Sequence, residues 1–546
     1  MKKATMMSCR TVNAFGLCLS AVLLMAGGCA AQETGTPETG TPPAGTPAAG
    51  ALPAGGEVYK NREHFGINLA GIADWSSEMP FIDIFKTSRF WISQKQGEKW
   101  GAGPELELNE QGYPVSLIPE GWAETPMLTD SNGNHPTGEY LLLYEGEGEI
   151  ALNQVGGIVA REPGRIVFTP GNSGFFLQLR RTNPANPVRN IRVYLPGQHD
   201  GKTPFYPPFL ERVKPFGTLR FMDWGRTNNS SLETWQDRPK VTGSRYTING
   251  VPVEVMVELA NTLNANAWFC IPHRADDDFV RHHAQLVKER LQPGLKAYVE
   301  YSNEVWNSQF QQTRYAGEKG VELGLGPKER PWEAGWHYYA QRTVEIGRIW
   351  KEVFGADTEK RLVIVMASQA ANPYVSQQVL GWKDAYKEVD ALAIAPYFGG
   401  GFGSPKTQDE VARWSVEQLL DKVAEEVRGP NKEMIERQAA VAKQYNLKLI
   451  AYEGGQHLVG HGGAENNKQL QDLFIAANRH PRLYDLYQEH LKNWFAAGGD
   501  LFTVFSNVGR PSKWGSWGLL EYQEQPVEQA PKYRAVIDFI QNGDVP

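Results

Sequence analysis

Two glutamates, Glu304 in Tyr298-Val-Glu-Tyr-Ser-Asn-Glu-Val-Trp306 and Glu453 in Leu447-Lys-Leu-Ile-Ala-Tyr-Glu-Gly-Gly455, each follow a run that reads as a buried strand. A carboxylate at the mouth of an apolar strand loses solvation, and only a charge, a hydrogen-bond donor or a ligand makes its place tenable. Two such groups suit acid-base or nucleophilic work on a glycosidic bond.

A second group of chemistry-bearing residues, His273, Asp276, Asp277, Asp278, His282 and His283, has the composition of a metal site. Asp278 and His282 are four apart and can share a helix face, but His282 and His283 point different ways. No His-Glu-x-x-His string occurs, and acidic residues at a helix start are explained by the helix dipole, so no metal is expected. The phosphate-cradling Gly-x-x-x-x-Gly-Lys-Ser/Thr and the Gly-x-Ser-x-Gly elbow are both missing, and no cofactor is expected.

The glutamates must be held by the elements around them. From Val213 onward, strand-like runs alternate with helical ones. The strands are Thr218–Met222, Ala267–Ile271, Ala297–Tyr301, Arg361–Met366, Val389–Ile394, Lys448–Tyr452 and Asp500–Phe505, with His64–Leu69 upstream as the eighth. Helices are expected at Val253–Leu263, Phe279–Leu291, Glu333–Phe354, Met434–Gln444 and Tyr484–Ala497. This alternation predicts an α/β fold, a (β/α)8 TIM barrel over residues 57–92 and 213–546, with its active site at the carboxyl ends of the strands. Glu304 and Glu453 fall after the fourth and seventh.

Residues 93–212, from about Ile92 to Arg212, break the rhythm. Tyr140–Tyr144, Glu149–Leu152, Arg165–Thr169, Gly174–Leu179 and Ile191–Leu195 are short strands split by Gly, Pro and Asn. They predict an antiparallel β-sandwich inserted between the first and second barrel strands. It would be either a glycan-binding lobe or cleft wall, or a stabilising appendage.

Ser302-Asn303-Glu304 after strand four and Tyr452-Glu453-Gly454 after strand seven resemble the signature of clan A glycoside hydrolases. The resemblance covers the barrel but not the insert. It implies that Glu304 is the acid/base and Glu453 the nucleophile of a retaining reaction, with the carboxyls about 5 to 5.5 Å apart. Glu304 would then be neutral and Glu453 ionised, their pKa values pushed apart by their surroundings. Arg220 resembles the clan's arginine that keeps the nucleophile charged, and Tyr397 the tyrosine that hydrogen-bonds it. Asn303 would meet the sugar 2-hydroxyl, and His273 a hydroxyl or the nucleophile. Trp224, Trp306, Trp514 and Trp517 follow strand ends and are candidate subsite walls. At the end of strand eight, where many clan members carry tryptophan, this chain has Phe505-Ser506-Asn507, so the sugar platform falls to Trp514 or Trp517. The Tyr-Ser-Asn-Glu-Val-Trp string is also similar to that of bacterial proteins labelled cellulose-binding, which makes a non-catalytic carbohydrate-binding protein on a degenerate barrel the rival expectation.

The amino terminus bounds the compartment. Lys2, Lys3 and Arg10 precede the apolar stretch Ala14–Met25, and Ala26-Gly-Gly-Cys29 resembles a lipobox, so residues 1–29 read as a lipoprotein-type signal peptide with Cys29 lipidated, ordinary secretion being the alternative. Residues 30–56, almost all Thr, Pro, Gly, Ala and Glu, read as a disordered tether reaching about 25 to 30 Å. Of four cysteines only Cys270 lies in the folded part, as a small buried hydrophobe. A net charge of -7 gives no electrostatic case for nucleic acid, and 16 tryptophans and 21 tyrosines suit sugar stacking. The expectation is an exported, membrane-anchored monomer, touching the membrane through its lipid alone and hydrolysing a β-glycan.

Overall fold

The computed structural model describes residues 59–545. The leader, Cys29 and the tether lie outside the described residues. Strand β1 (Phe65–Asn68) is followed by eight strands outside the barrel. These are β2 (Ile92–Lys95), β3 (Gly121–Met127), β4 (Tyr140–Glu145), β5 (Gly148–Asn153), β6 (Val155–Glu162), β7 (Arg165–Pro170), β8 (Phe175–Thr182) and β9 (Arg189–Tyr194). Seven barrel strands follow: β10 (Thr218–Arg220), β11 (Asn266–Ile271), β12 (Ala297–Tyr301), β13 (Leu362–Ala367), β14 (Ala391–Ile394), β15 (Lys448–Ala451) and β16 (Gly499–Val504). β1 and β10 to β16 form a closed parallel barrel in chain order, with β16 pairing back onto β1.

The barrel strands are short apolar runs because both faces are covered. One alternate set, including Trp268, Cys270, Val365, Ala393, Ile450 and Leu501, fills the lumen; the other, including Leu219, Phe269, Ile364 and Leu392, packs under the helices. The three aspartates form the start of the helix Asp277–Arg290: Asp277 and Asp278 lie in its first turn and Asp276 caps it, accepting from the Phe279 amide at 2.7 Å. Helices that were not expected include Gln311–Glu322, Val416–Glu426, Lys468–Arg479 and Pro531–Asn542. The second carries a legible start signal, the reciprocal Ser415–Gln418 capping box.

The insert is two four-stranded antiparallel sheets, ordered β2-β3-β8-β5 and β6-β7-β4-β9. Their buried faces meet, with Ala123, Leu177 and Leu179 from one and Leu142, Ile166 and Val193 from the other, and Phe168 packs edge-on to Phe175 at 4.9 Å. β2, β3 and β6 escaped the sequence pattern because Gly, Pro and charged residues interrupt their apolar alternation. Residues 207–212 belong to a helix, Pro207–Val213, that leads into β10, so the β structure ends before Arg212. At the carboxyl end of the barrel, Asp74 in the loop after β1 accepts from Arg89 at 2.8 and 2.9 Å and from Thr129 Oγ1 at 2.5 Å. Arg510, after β16, donates to Asp130 at 2.9 and 3.0 Å. The edge of the insert is thus tied to the barrel mouth.

Candidate active site

Arg220 ends β10 with no exposed surface, and a guanidinium there needs every donor occupied. Its Nη2 donates to Glu300 at 2.8 Å and to Asn303 Oδ1 at 2.8 Å, and its Nε to Glu300 at 3.1 Å. Its Nη1 reaches Asn68 Oδ1 at 3.0 Å and Glu453 Oε2 at 3.3 Å. One arginine thereby gathers the ends of β1, β10, β12 and β15. Glu300, inside the lumen, is completed by Trp268 Nε1 at 2.9 Å. Asn68 donates onward to the carbonyls of Tyr452 and Val504 at 3.0 and 3.2 Å.

After β12 the chain turns through two left-handed residues, Ser302 at φ 60° and Glu304 at φ 42°, an uncommon conformation for such side chains. Glu304 is buried, accepting from the Tyr452 hydroxyl at 2.9 Å and from Asn307 Nδ2 at 2.8 Å. Asn303 donates to Asn228 at 3.1 Å, and Gln312 ties Asn228 to the Asn303 carbonyl at 2.7 and 2.8 Å. After Glu453 come two positions with no room for a side chain. A Cβ on Gly454 would meet the Phe502 ring at 2.7 Å, and one on Gly455, at φ 141°, would meet the Tyr487 hydroxyl at 2.8 Å.

Burial raises the pKa of Glu304, against the hydrogen bonds of Asn307 and Tyr452 and the charge of Arg220. Burial also raises Glu453 well above the ordinary carboxylate value, and the charge of Glu304 adds to it while Arg220 opposes. Desolvation outweighs the arginine, so both groups rise. Two further carboxyls that sequence reasoning missed lie on the β1 and β10 side. Burial lifts Asp223 to about 6, and its charge contributes to the rise of Glu453. Burial lifts Glu78 to about 8, opposed by its hydrogen bond from Asn507 at 2.6 Å.

Tyr397 lies beside Glu453; burial, then the charges of Glu453 and Glu304, raise its phenol so that it stays protonated. Its ring, Phe505 and Trp517 form one edge-on cluster with centroids 5.7 to 6.4 Å apart. Trp517 donates to the Trp514 carbonyl at 2.7 Å, and Trp514 stands about half exposed beyond it. Trp306 is half-buried near Tyr452 and Tyr339. Trp224 is a correction: it is fully buried among Phe81, Phe209 and Phe221, in the core where no sugar reaches it. His273 packs edge-on against Tyr315 at 5.2 Å, with its pKa lowered to about 4 by burial and then by Arg274, so it is neutral at pH 7. Sequence reasoning also missed Glu300, Tyr452, Asn307 and Asn68. Glu300 had a signal, since a charge inside the apolar strand Ala297–Tyr301 requires a buried partner. Among the described residues no three His, Cys, Asp or Glu side chains gather as a metal site would require.

No family model matches the chain, and no curated protein does. Among solved structures it is similar to a GH51 arabinofuranosidase from Xanthomonas axonopodis pv. citri at 13% identity and TM-score 0.36, over 56% of this chain and 61% of that one, so it spans about three fifths of that enzyme's length. A GH10 endoxylanase from a sugarcane soil metagenome matches at 10% identity and TM-score 0.35, over 61% of this chain and 91% of that one. A GH53 catalytic domain from Ignisphaera aggregans matches at 10% and 0.33, over 60% and 87%.

Proposed function

We propose that the chain is a retaining β-glycosidase acting on a β-linked polysaccharide or oligosaccharide, with Glu304 as acid/base and Glu453 as nucleophile. The observation that carries this is the asymmetry of two buried, interacting carboxylates at one barrel mouth. Arg220 bonds directly to Glu453 at 3.3 Å, whereas Glu304 is held by neutral donors, Tyr452 and Asn307. When the pair holds a single proton, the cation favours leaving the charge on Glu453. The tyrosine hydroxyl can donate or accept, so it serves Glu304 in either protonation state. In the first step Glu453 attacks the anomeric carbon while Glu304 gives its proton to the departing oxygen. In the second, Glu304 takes a proton from water, which attacks the same carbon and releases Glu453. Asn303, fixed by Arg220 and Asn228, would hydrogen-bond the sugar, and Trp517 and Trp514 would wall it. Export as a Cys29-anchored lipoprotein is part of the same reading.

Leaving-group dependence tests the assignment. Glu453→Gln should lower turnover by roughly 10⁴-fold or more on every substrate. Glu304→Gln should spare the glycosylation step of an activated aryl glycoside far more than that of a natural glycan, and show a burst of phenol because the second step still needs the base. Equal losses for both leaving groups would remove Glu304 from the role of acid. Wild-type binding without turnover on any β-glycan would favour a binding protein.

A further inference from the structure

We propose that the outer face of the β2-β3-β8 sheet in the insert is a second binding surface for a neutral β-glycan chain, separate from the barrel mouth. This rests on the proposed function for the class of polymer. In the strand register Gln94 faces Trp122, and Glu124 faces Gln178, which places these side chains together on one side of the sheet. The opposite side, with Ala123, Thr125, Leu177 and Leu179, is the buried inner layer. Glu124 is 4% exposed on the outer side, a buried carboxylate that the proposed reaction does not use.

Its four hydrogen bonds show what it holds. Glu124 Oε1 accepts from Gln94 Nε2 at 2.9 Å and from the indole of Trp100 at 2.6 Å. Oε2 accepts from Gln178 Nε2 at 2.7 Å and from the indole of Trp122 at 3.1 Å. Gln94 Oε1 in turn accepts from the Gly101 amide at 2.8 Å, fixing the loop that carries Trp100. Arg180 lies over the Trp122 ring at 4.3 Å and donates to Gln178 Oε1 at 2.5 Å.

Trp100 is nevertheless 58% exposed, and Phe90, two residues before β2, is 52% exposed. An indole whose N–H is occupied from below offers a ligand only its ring. Because the ring is already immobilised, stacking on it loses little side-chain entropy. A flat apolar ring on a face that also presents the exposed Arg180 guanidinium fits the alternating C–H faces and hydroxyl edges of a pyranose chain. The charges exposed around it are mixed, Lys95, Lys99 and Arg180 against Glu98 and Glu149, and the chain is acidic overall. That balance suits an uncharged polymer and disfavours a nucleic acid.

The test is retardation of the full chain in native gels containing soluble β-glucan, xylan, mannan or galactan, together with sedimentation onto insoluble cellulose. Wild type should bind at least one polymer. Trp100→Ala and Phe90→Ala should each weaken that binding by about tenfold with the thermal midpoint of Phe90→Ala unchanged. Trp332→Ala, which removes an equally exposed indole from a barrel helix, should bind as wild type does, and so should Glu453→Gln. Unchanged binding in both Trp100→Ala and Phe90→Ala overturns the proposal. So does binding lost in Glu453→Gln alone, which assigns it to the mouth, and so does a wild-type dimer that becomes monomeric in Trp100→Ala, which makes the face a contact between copies. Turnover of an aryl glycoside without retention on any polymer overturns this proposal and leaves the proposed function standing. Retention that depends on Trp100, without turnover, does the reverse.

Discussion

Glu124 in the insert and the Glu304–Glu453 pair in the barrel are all buried carboxylates, yet they are treated in opposite ways. Glu124 has both oxygens doubly bonded by neutral amides and indoles at 2.6 to 3.1 Å. Glu453 has one arginine hydrogen bond at 3.3 Å, an adjacent phenol and a second carboxylate that repels it. A saturated carboxylate orients its neighbours. One left short of donors, beside another of its kind, has a raised pKa and is poised to exchange a proton or attack. Glu300 makes the contrast within the barrel itself: a few ångströms below the mouth it takes three hydrogen bonds from Arg220 and one from Trp268, which fits it to hold Arg220 in place.

The widest separation between these regions should appear on removing the shared cation. Arg220→Met leaves Glu300 and Glu453 buried without their partner, and stability measured by urea denaturation should fall by about 3–5 kcal/mol. In whatever fraction stays folded, the Glu453 pKa rises further. In the proposed reaction Glu453 attacks as the ionised carboxylate, so the acidic limb of kcat/KM should move to higher pH. A limb that stays in place would dissociate Arg220 from the nucleophile.

Glu124→Gln is the matching change in the insert and should be milder. The amide keeps the shape, but its NH₂ group faces two donors where it needs acceptors. We expect a loss of about 1–3 kcal/mol in the same denaturation experiment. A variant as stable as wild type would mean that the four donors find other partners, and the contrast between saturated and unsaturated carboxylates would lose its structural half.

The barrel was legible because each of its strands is a short apolar run followed by a polar loop, and both glutamates stand where that pattern stops. The partners were harder to see. Tyr452 meets Glu304 across 148 residues, a neighbourhood no linear string shows, and Asn307, only three residues on, meets it through the left-handed turn that folds its loop back. Trp224 shows the converse: a tryptophan four residues past the end of β10 looks like a subsite wall until the aromatic rings around it are placed. In the insert, Gly121-Trp-Ala-Glu-Thr-Pro-Met127 hides its strand because one side of it is polar by construction, and the reason is the Glu124 network that only the register assembles.

The smallest expected effect is also the most specific. The Tyr452 hydroxyl donates to Glu304 Oε1 at 2.9 Å, which favours the ionised carboxylate and lowers its pKa against the rise caused by burial. Tyr452→Phe removes the donor and keeps the ring that packs against Trp306 and under Arg220. The Glu304 pKa should then increase. The proposed first step needs Glu304 protonated and would be lost as pH rises through that pKa, so the alkaline limb of kcat/KM should move upward, by up to about one pH unit. The acidic limb, which the proposed reaction assigns to ionisation of Glu453, should move less. A change in kcat without movement of the alkaline limb would make the hydroxyl a packing element. A downward movement would mean that Tyr452 stabilises the protonated acid, and the roles of donor and acceptor at Glu304 would have to be exchanged.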